Sequence, residues 1–148
     1  WDVHHGNGTQ EIVRHDPHIF YFSTHLLGLY PKTGGKHEIG CGNIENHPIG
    51  LNSPSEHLIH IFLRNLTESM NKFKPELVFI SAGFDAHRHD PLGGKMGLTE
   101  EDFGNLTSIV KVIAKKYAEG RIVSVLEGGY NLECLAKCCV SHVKALYK

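Results

Sequence analysis

Apolar residues recur along this chain with two periods, and the changes between them mark its elements. Residues 10–14 read as a short helical turn that Asp16-Pro17 stops. His18-Ile19-Phe20-Tyr21-Phe22-Ser23 is aromatic and branched, the composition of a buried strand. Residues 27–52 are rich in glycine, proline and asparagine and read as a long loop with room for a short strand near Ile44. Loops of that length inside compact domains are usually functional. Ser53-Pro54-Ser55-Glu56 then predicts a helix start, with Ser53 as cap, Pro54 at the first helical position and Glu56 completing a capping box. Leu58, Ile61, Phe62, Leu66, Met70 and Phe73 follow at helical spacing, so this helix buries one stripe until Lys74-Pro75 ends it.

In the second half, residues 76–84 hold a continuous apolar run without alternation, which predicts a parallel strand covered on both faces. A His- and Gly-rich loop, residues 86–97, comes after it. Thr99 caps the next helix, whose stripe is Phe103, Leu106, Val110, Ile113 and Tyr117, and Gly120 ends it. Residues 121–126 predict a second buried strand. A last helix places Leu135, Cys138, Cys139, Val143 and Leu146 on its inner side. Strand, helix, strand, helix in this order predicts an α/β fold, a three-layer parallel sheet with helices on both faces.

Composition narrows the setting. The net charge of −1 and the lack of long charged runs speak against nucleic-acid or membrane-surface binding through bulk charge. The apolar runs are far too short to span a bilayer. The spacing of Cys41, Cys134, Cys138 and Cys139 fits neither a zinc finger nor a redox pair, so reduced thiols in the cytoplasm, or in the nucleus of a eukaryote, are expected. Cys134, Cys138 and Cys139 read as small hydrophobes. The 12 histidines raise the prospect of metal or acid–base chemistry.

Three polar clusters share one address. Asp2 and His4, Asp85, and Tyr130 each lie at or just beyond the expected C-terminal end of a strand, where open parallel sheets bind their ligands. If residues 2–4 are extended, the period of two puts Asp2 and His4 on one side. Two carboxylates and one imidazole can hold a divalent cation while leaving coordination positions open, as catalytic sites do. Such an ion activates water and polarises a carbonyl. Tyr130, on a glycine-flanked turn, can donate its phenolic hydrogen to a developing oxyanion. Taken singly, an Asp-x-His is a solvated turn, an Asp after a strand is a cap and a Gly-Gly-Tyr-Asn is a tight turn. Their co-occurrence at strand ends carries the reading. The remaining histidines, His5, His25 and His142 among them, read as surface or hydrogen-bonded groups, and His87 and His89 as exposed groups near Asp85.

Asp2-Val3-His4-His5-Gly6-Asn7-Gly8-Thr9, Ser81-Ala82-Gly83-Phe84-Asp85-Ala86 with Asp90-Pro91-Leu92-Gly93-Gly94, and Glu127-Gly128-Gly129-Tyr130-Asn131 resemble the zinc-dependent histone deacetylase family. Trp1, Asn7 and the Glu-Gly-Gly-Tyr form are closer to its class II and bacterial branch. The resemblance covers essentially the whole chain, as the second half of a catalytic domain whose N-terminal part is missing. It implies the arginase/deacetylase fold and hydrolysis of an acetyl-lysine amide or a similar acetylated amine. By the same resemblance, Asp2, His4 and Asp85 match the zinc ligands and Tyr130 the catalytic tyrosine. Tyr30, Leu92 and Gly129 match the substrate tunnel. Ser23 and Thr24 match a structural potassium site, alongside Asp2 and the His4 carbonyl, and Asn7 a position supporting a general-base histidine.

One departure goes with it. The family's paired general-base histidines belong to a Gly-His-His motif upstream of Trp1, and His4-His5 cannot replace them because His4 is committed to the metal. Loss of a general base is worth roughly 10²–10⁴-fold in rate. Three readings therefore stand: a protein deacetylase, an acetylpolyamine amidohydrolase using the same site, or a non-catalytic metal-binding module. Ferrous iron suits the same ligands as zinc. The expected partners are an acetylated protein or a small acetylated amine.

Overall fold

The structure is a computed structural model that describes residues 1–93 and 96–147, so Gly94, the last residue of the quoted Asp90-Pro91-Leu92-Gly93-Gly94 segment, lies outside the described residues. In order, the elements are α1 (Asn7–Val13), β1 (Tyr21–Leu26), β2 (Ile44–Ile49), α2 (Ser55–Ile61), a π-helical turn (Phe62–Leu66), α3 (Thr67–Phe73), β3 (Val78–Ala82), α4 (Glu100–Tyr117), β4 (Ile122–Leu126) and α5 (Leu132–Tyr147). β1 pairs in parallel with β2, and β3 with β4.

Between these two ribbons runs the start of the chain. Leu26 N donates to Val3 O at 2.9 Å, and the Trp1 amino group donates to Ser81 O at 3.4 Å. Residues 1–3 thus link β1 to β3. They are not a strand: the chain bends at Val3-His4, and the Asp2 side chain folds back to accept His4 N at 2.8 Å. The expected extended Asp2–His4 pair is replaced by this side-chain turn.

Successive β1 residues point to opposite faces, as a pleat requires. Tyr21 meets His5 edge-on and its hydroxyl donates to Gly6 O just before α1, whereas Phe22 meets Phe62 of the helical rod, ring centroids 5.6 Å apart. Helices therefore lie on both faces there. β1 begins three residues later than the pattern predicts, and the expected loop contains a full six-residue strand, β2. It begins at Ile44, where a short strand was expected; its polar positions and Pro48 conceal its full length, and both suit an outer strand.

The stripe of the first long helix is correct, but the rod is not one α-helix. Leu58, Phe62, Leu66 and Met70 are all buried at a four-residue spacing. Each such step overshoots a 3.6-residue turn by about 40°. The wider π turn absorbs that drift and keeps the stripe on the core, with Leu63 left exposed. Pro54 is itself the cap residue and no side chain caps the helix, so the expected Ser53/Glu56 capping box does not form. Lys74, in the left-handed conformation, ends α3.

α4 carries the predicted stripe and a full capping box between Thr99 and Asp102. It packs on α5, and the two cover the face of β3 bearing Ile80 and Ala82. His142 fastens this layer: its Nδ1 lies 2.7 Å from Thr107 Oγ1 and its Nε2 2.8 Å from Ser124 Oγ. Cys134, Cys138 and His142 form the buried line of α5, and Val143, expected inward, is exposed. β3 and β4 are not covered on both faces. Phe79, Val123 and Val125 share the other side and stand exposed among the described residues.

Candidate metal centre

β3 and β4 continue pairing past their ends, through Glu127 N to Ala82 O and Phe84 N to Gly128 O, which brings Asp85 beside the 127–131 turn. Asp85 is completely buried, and its Oδ1 accepts Val3 N at 2.8 Å. Asp2 Oδ2 accepts Gly128 N at 3.0 Å. His4 Nδ1 then lies 2.9 Å from Asp2 Oδ1 and 3.0 Å from Asp85 Oδ2. Donor atoms of all three predicted ligands lie within 4.8 Å of one another. Gly128 is required by this approach, because a Cβ there would collide with both carboxylates.

These residues fit a divalent cation. Asp85 Oδ2 is buried and has no hydrogen-bond partner among the described residues, with His4 Nδ1 close by at 3.0 Å but bonded to Asp2. Burial, with the charge of Asp2 added, pushes the Asp85 carboxyl up to about 6. A buried carboxylate with an unsatisfied oxygen beside a second, partly buried one is costly unless a positive charge joins them.

Tyr130 is half exposed, on the turn next to the cluster. Desolvation and the carboxylates of Asp85, Asp2 and Asp90 raise its phenol above the ordinary value of 10.0, so it keeps its proton at neutral pH. Gly129 holds φ at +142°, a conformation that side-chain-bearing residues rarely adopt, and so turns the chain into Tyr130. Sequence reasoning gave no role to Asp90, which anchors this turn. Its Oδ2 accepts Tyr130 N at 2.8 Å and Asn131 N at 3.3 Å, and its Oδ1 accepts Leu92 N and Gly93 N at 2.8 and 3.0 Å. The Asp90-Pro91 pair within the loop that follows Asp85 was the available signal.

Tyr30 is largely exposed, with its ring edge-on to His4 at 6.4 Å between centroids. Leu92 is exposed on the loop that Asp90 ties down. Ser23 and Thr24 are buried in β1: Ser23 Oγ lies 2.9 Å from His25 Nδ1, and Thr24 Oγ1 has no partner among the described residues. Asn7 opens α1 at the surface. His5 turns away from the cluster, its ring nitrogens 2.8 Å from Thr33 Oγ1 and 2.9 Å from Gln10 Oε1. His5, His25, His87 and His142 are buried, so His87 does not lie in solvent as the sequence suggests. Cavities of about 380 and 430 Å³ open elsewhere, and neither is lined by Asp2, His4, Asp85 or Tyr130.

A parallel α/β sheet with two carboxylates and an imidazole gathered at one end defines a class: α/β domains that carry their polar site outside the carboxyl ends of the strands. The histone deacetylase domain model matches residues 1–146, and this chain belongs to that family. It is 40% identical over 162 residues to type-2 histone deacetylase 2 of Dictyostelium discoideum, covering 99% of this chain and 9% of that protein. The crystal structure of the HDA15 HD domain superposes with a TM-score of 0.86 at 32% identity, covering 99% of this chain and 44% of that one. Acetylpolyamine aminohydrolase from Burkholderia pseudomallei gives 0.87 at 28% identity, covering 98% and 42%. The fold is the arginase/deacetylase fold, and the chain spans less than half the length of each of these proteins.

Proposed function

We propose that residues 1–148 are the second half of the catalytic domain of a zinc-dependent deacetylase that hydrolyses acetyl-lysine amides in histones or other proteins. One observation carries the reading: Asp2, His4 and Asp85 converge on one point in a chain of the deacetylase family. Those three would hold the zinc, or ferrous iron, which when bound supplies Lewis-acid polarisation of the acetyl carbonyl and of water. Tyr130 donates its phenolic hydrogen to the carbonyl oxygen as negative charge develops there. Asp90 holds the Tyr130 backbone in place for that contact. His4 faces the carboxylates and both His5 nitrogens are engaged, so the proton leaving the attacking water goes to a base other than these two. Tyr30, Leu92 and Gly129 line the approach of the acyl chain. Ser23 and Thr24, with Asp2 and the His4 carbonyl, would seat a structural potassium ion, for which the buried and unpartnered Thr24 hydroxyl is the support. Asn7 supports a general-base histidine. The four free cysteines favour a cytoplasmic protein, or a nuclear one in a eukaryote.

The likeness to acetylpolyamine aminohydrolase favours a second substrate class, slender acetylated polyamines. The test is amine release by the full-length protein from an acetyl-lysine peptide and from an N-acetylated polyamine, with and without added zinc. Turnover of the peptide supports the protein-deacetylase reading, and turnover of the polyamine alone transfers the site to the second. Zinc binding without release from either overturns both in favour of a metal-binding module.

A further inference from the structure

A second cluster of metal-ligating side chains, outside the centre just described, joins the loop after Asp85 to the first turn of α5. His87, His89 and Cys134 place one donor atom each within 4.8 Å of one another. We propose that these three residues form a second, thiolate-containing site for zinc or a similar borderline-soft divalent cation, one that staples the 86–93 loop to α5.

The ligand chemistry selects the ion. Two imidazoles and a thiolate suit zinc, copper or nickel, whereas calcium and magnesium take oxygen ligands. Cys134 is buried and held by α5, His87 is buried in the loop and bridged to Leu98, and His89 is exposed and free to adjust. A tetrahedral zinc needs its ligand atoms about 3.5 Å apart, a modest contraction from the present spread. The two rings stand edge to face, centroids 5.4 Å apart.

His87 is already set up as a ligand. Its Nδ1 receives the backbone N–H of His89 at 3.2 Å, so that nitrogen carries the lone pair. The proton then sits on Nε2, which faces Glu100 Oε2 at 3.3 Å. A carboxylate behind the far nitrogen of an imidazole is the usual support of a metal-bound histidine. A metal at Nδ1 replaces one weak contact and leaves the Glu100 contact intact. Cys134 is fixed by α5, whose first turn is capped by Asn131: Cys134 N donates to Asn131 Oδ1 at 3.2 Å. Asn131 Nδ2 donates in turn to His89 O at 3.0 Å, so the cap itself spans the two ligand-bearing segments. On binding, the Cys134 thiol proton is released to water and a metal–sulphur bond forms, with no change of oxidation state.

The consequence lies close to Tyr130. Asp90 follows His89 directly and carries the Tyr130 backbone, so an ion here tightens the segment that positions the phenol.

The test uses the full-length protein, loaded with cobalt(II) as a spectroscopic probe. Ligation by Cys134 gives a near-ultraviolet thiolate-to-cobalt charge-transfer band, which the sulphur-free Asp2/His4/Asp85 centre cannot give. The band is expected in the wild type and in Asp85→Asn, and is expected to be lost in Cys134→Ser and kept in Cys41→Ser. His89→Gln, at an exposed position that spares the fold, should weaken cobalt binding at least about tenfold. With zinc, the wild type should hold about two ions per chain, and Cys134→Ser and Asp85→Asn about one each. Failure of this site and failure of the Asp85 centre are therefore told apart. A cobalt-loaded wild type with no such band, or a band that survives Cys134→Ser, overturns the proposal.

Discussion

At the scale of single residues, Asp85 and Tyr130 separate binding from chemistry. Asp85→Asn removes one of two carboxylates facing His4 and should lower the zinc content of the full-length protein, read by elemental analysis. Tyr130→Phe should leave zinc content unchanged and lower kcat by about 10²–10³-fold, the usual cost of an oxyanion donor. Buried His25 has a different consequence. Desolvation and the neighbouring His5 hold its pKa down to about 4, against 6.5 for a free imidazole. The unfolded chain therefore binds a proton between those values and the folded one does not, so stability present above pH 6.5 is lost as pH falls towards 4. The loss is about 2 kcal/mol at pH 5. Urea denaturation at pH 7 and pH 5 measures it, and His25→Asn should flatten the difference. The convergence of Asp2, His4 and Asp85 beside Tyr130 was legible in the sequence because each lies in a short polar motif, two of them at strand ends. His25 was not, because burial depends on what the fold lays over it.

At the scale of elements, one carboxylate joins a loop to a turn. Asp90 uses one oxygen for Leu92 and Gly93 and the other for Tyr130 and Asn131. Asn in its place offers only one acceptor oxygen, so one of these two pairs is left facing an N–H donor. Asp90→Asn should cost about 2 kcal/mol in denaturant unfolding and lower kcat more than it changes KM. The Thr99 capping box predicts a plainer effect: Thr99→Ala should cost about 1 kcal/mol without touching catalysis. This cap, the α4 stripe and the strands β3 and β4 all declared themselves through apolar runs and end signals. The π turn did not, and of β2 only its start near Ile44 was foreseen. A four-residue spacing looks helical whether or not the helix widens, and a strand with Pro48 and three polar residues carries no alternation to find.

At the scale of the whole molecule, the fold class followed from the order of strands and helices, and one face of β3–β4 is left open within these residues. Phe79, Val123 and Val125 form an apolar strip on the open side of β3–β4. Exposed strips on a sheet favour association. The isolated 148-residue chain should therefore sediment as a concentration-dependent mixture, and Phe79→Ser with Val125→Ser should shift it towards monomer. The bridge from β1 to β3 has a further consequence. Residues 1–3 act as a keystone: Val3 closes on Leu26 and on the Asp85 carboxylate, while Asp2 reaches across to Gly128. Trimming those three residues would part the two ribbons and break up the Asp2, His4 and Asp85 cluster in one stroke, so at this seam the shape of the fold and the gathering of its polar cluster are a single property.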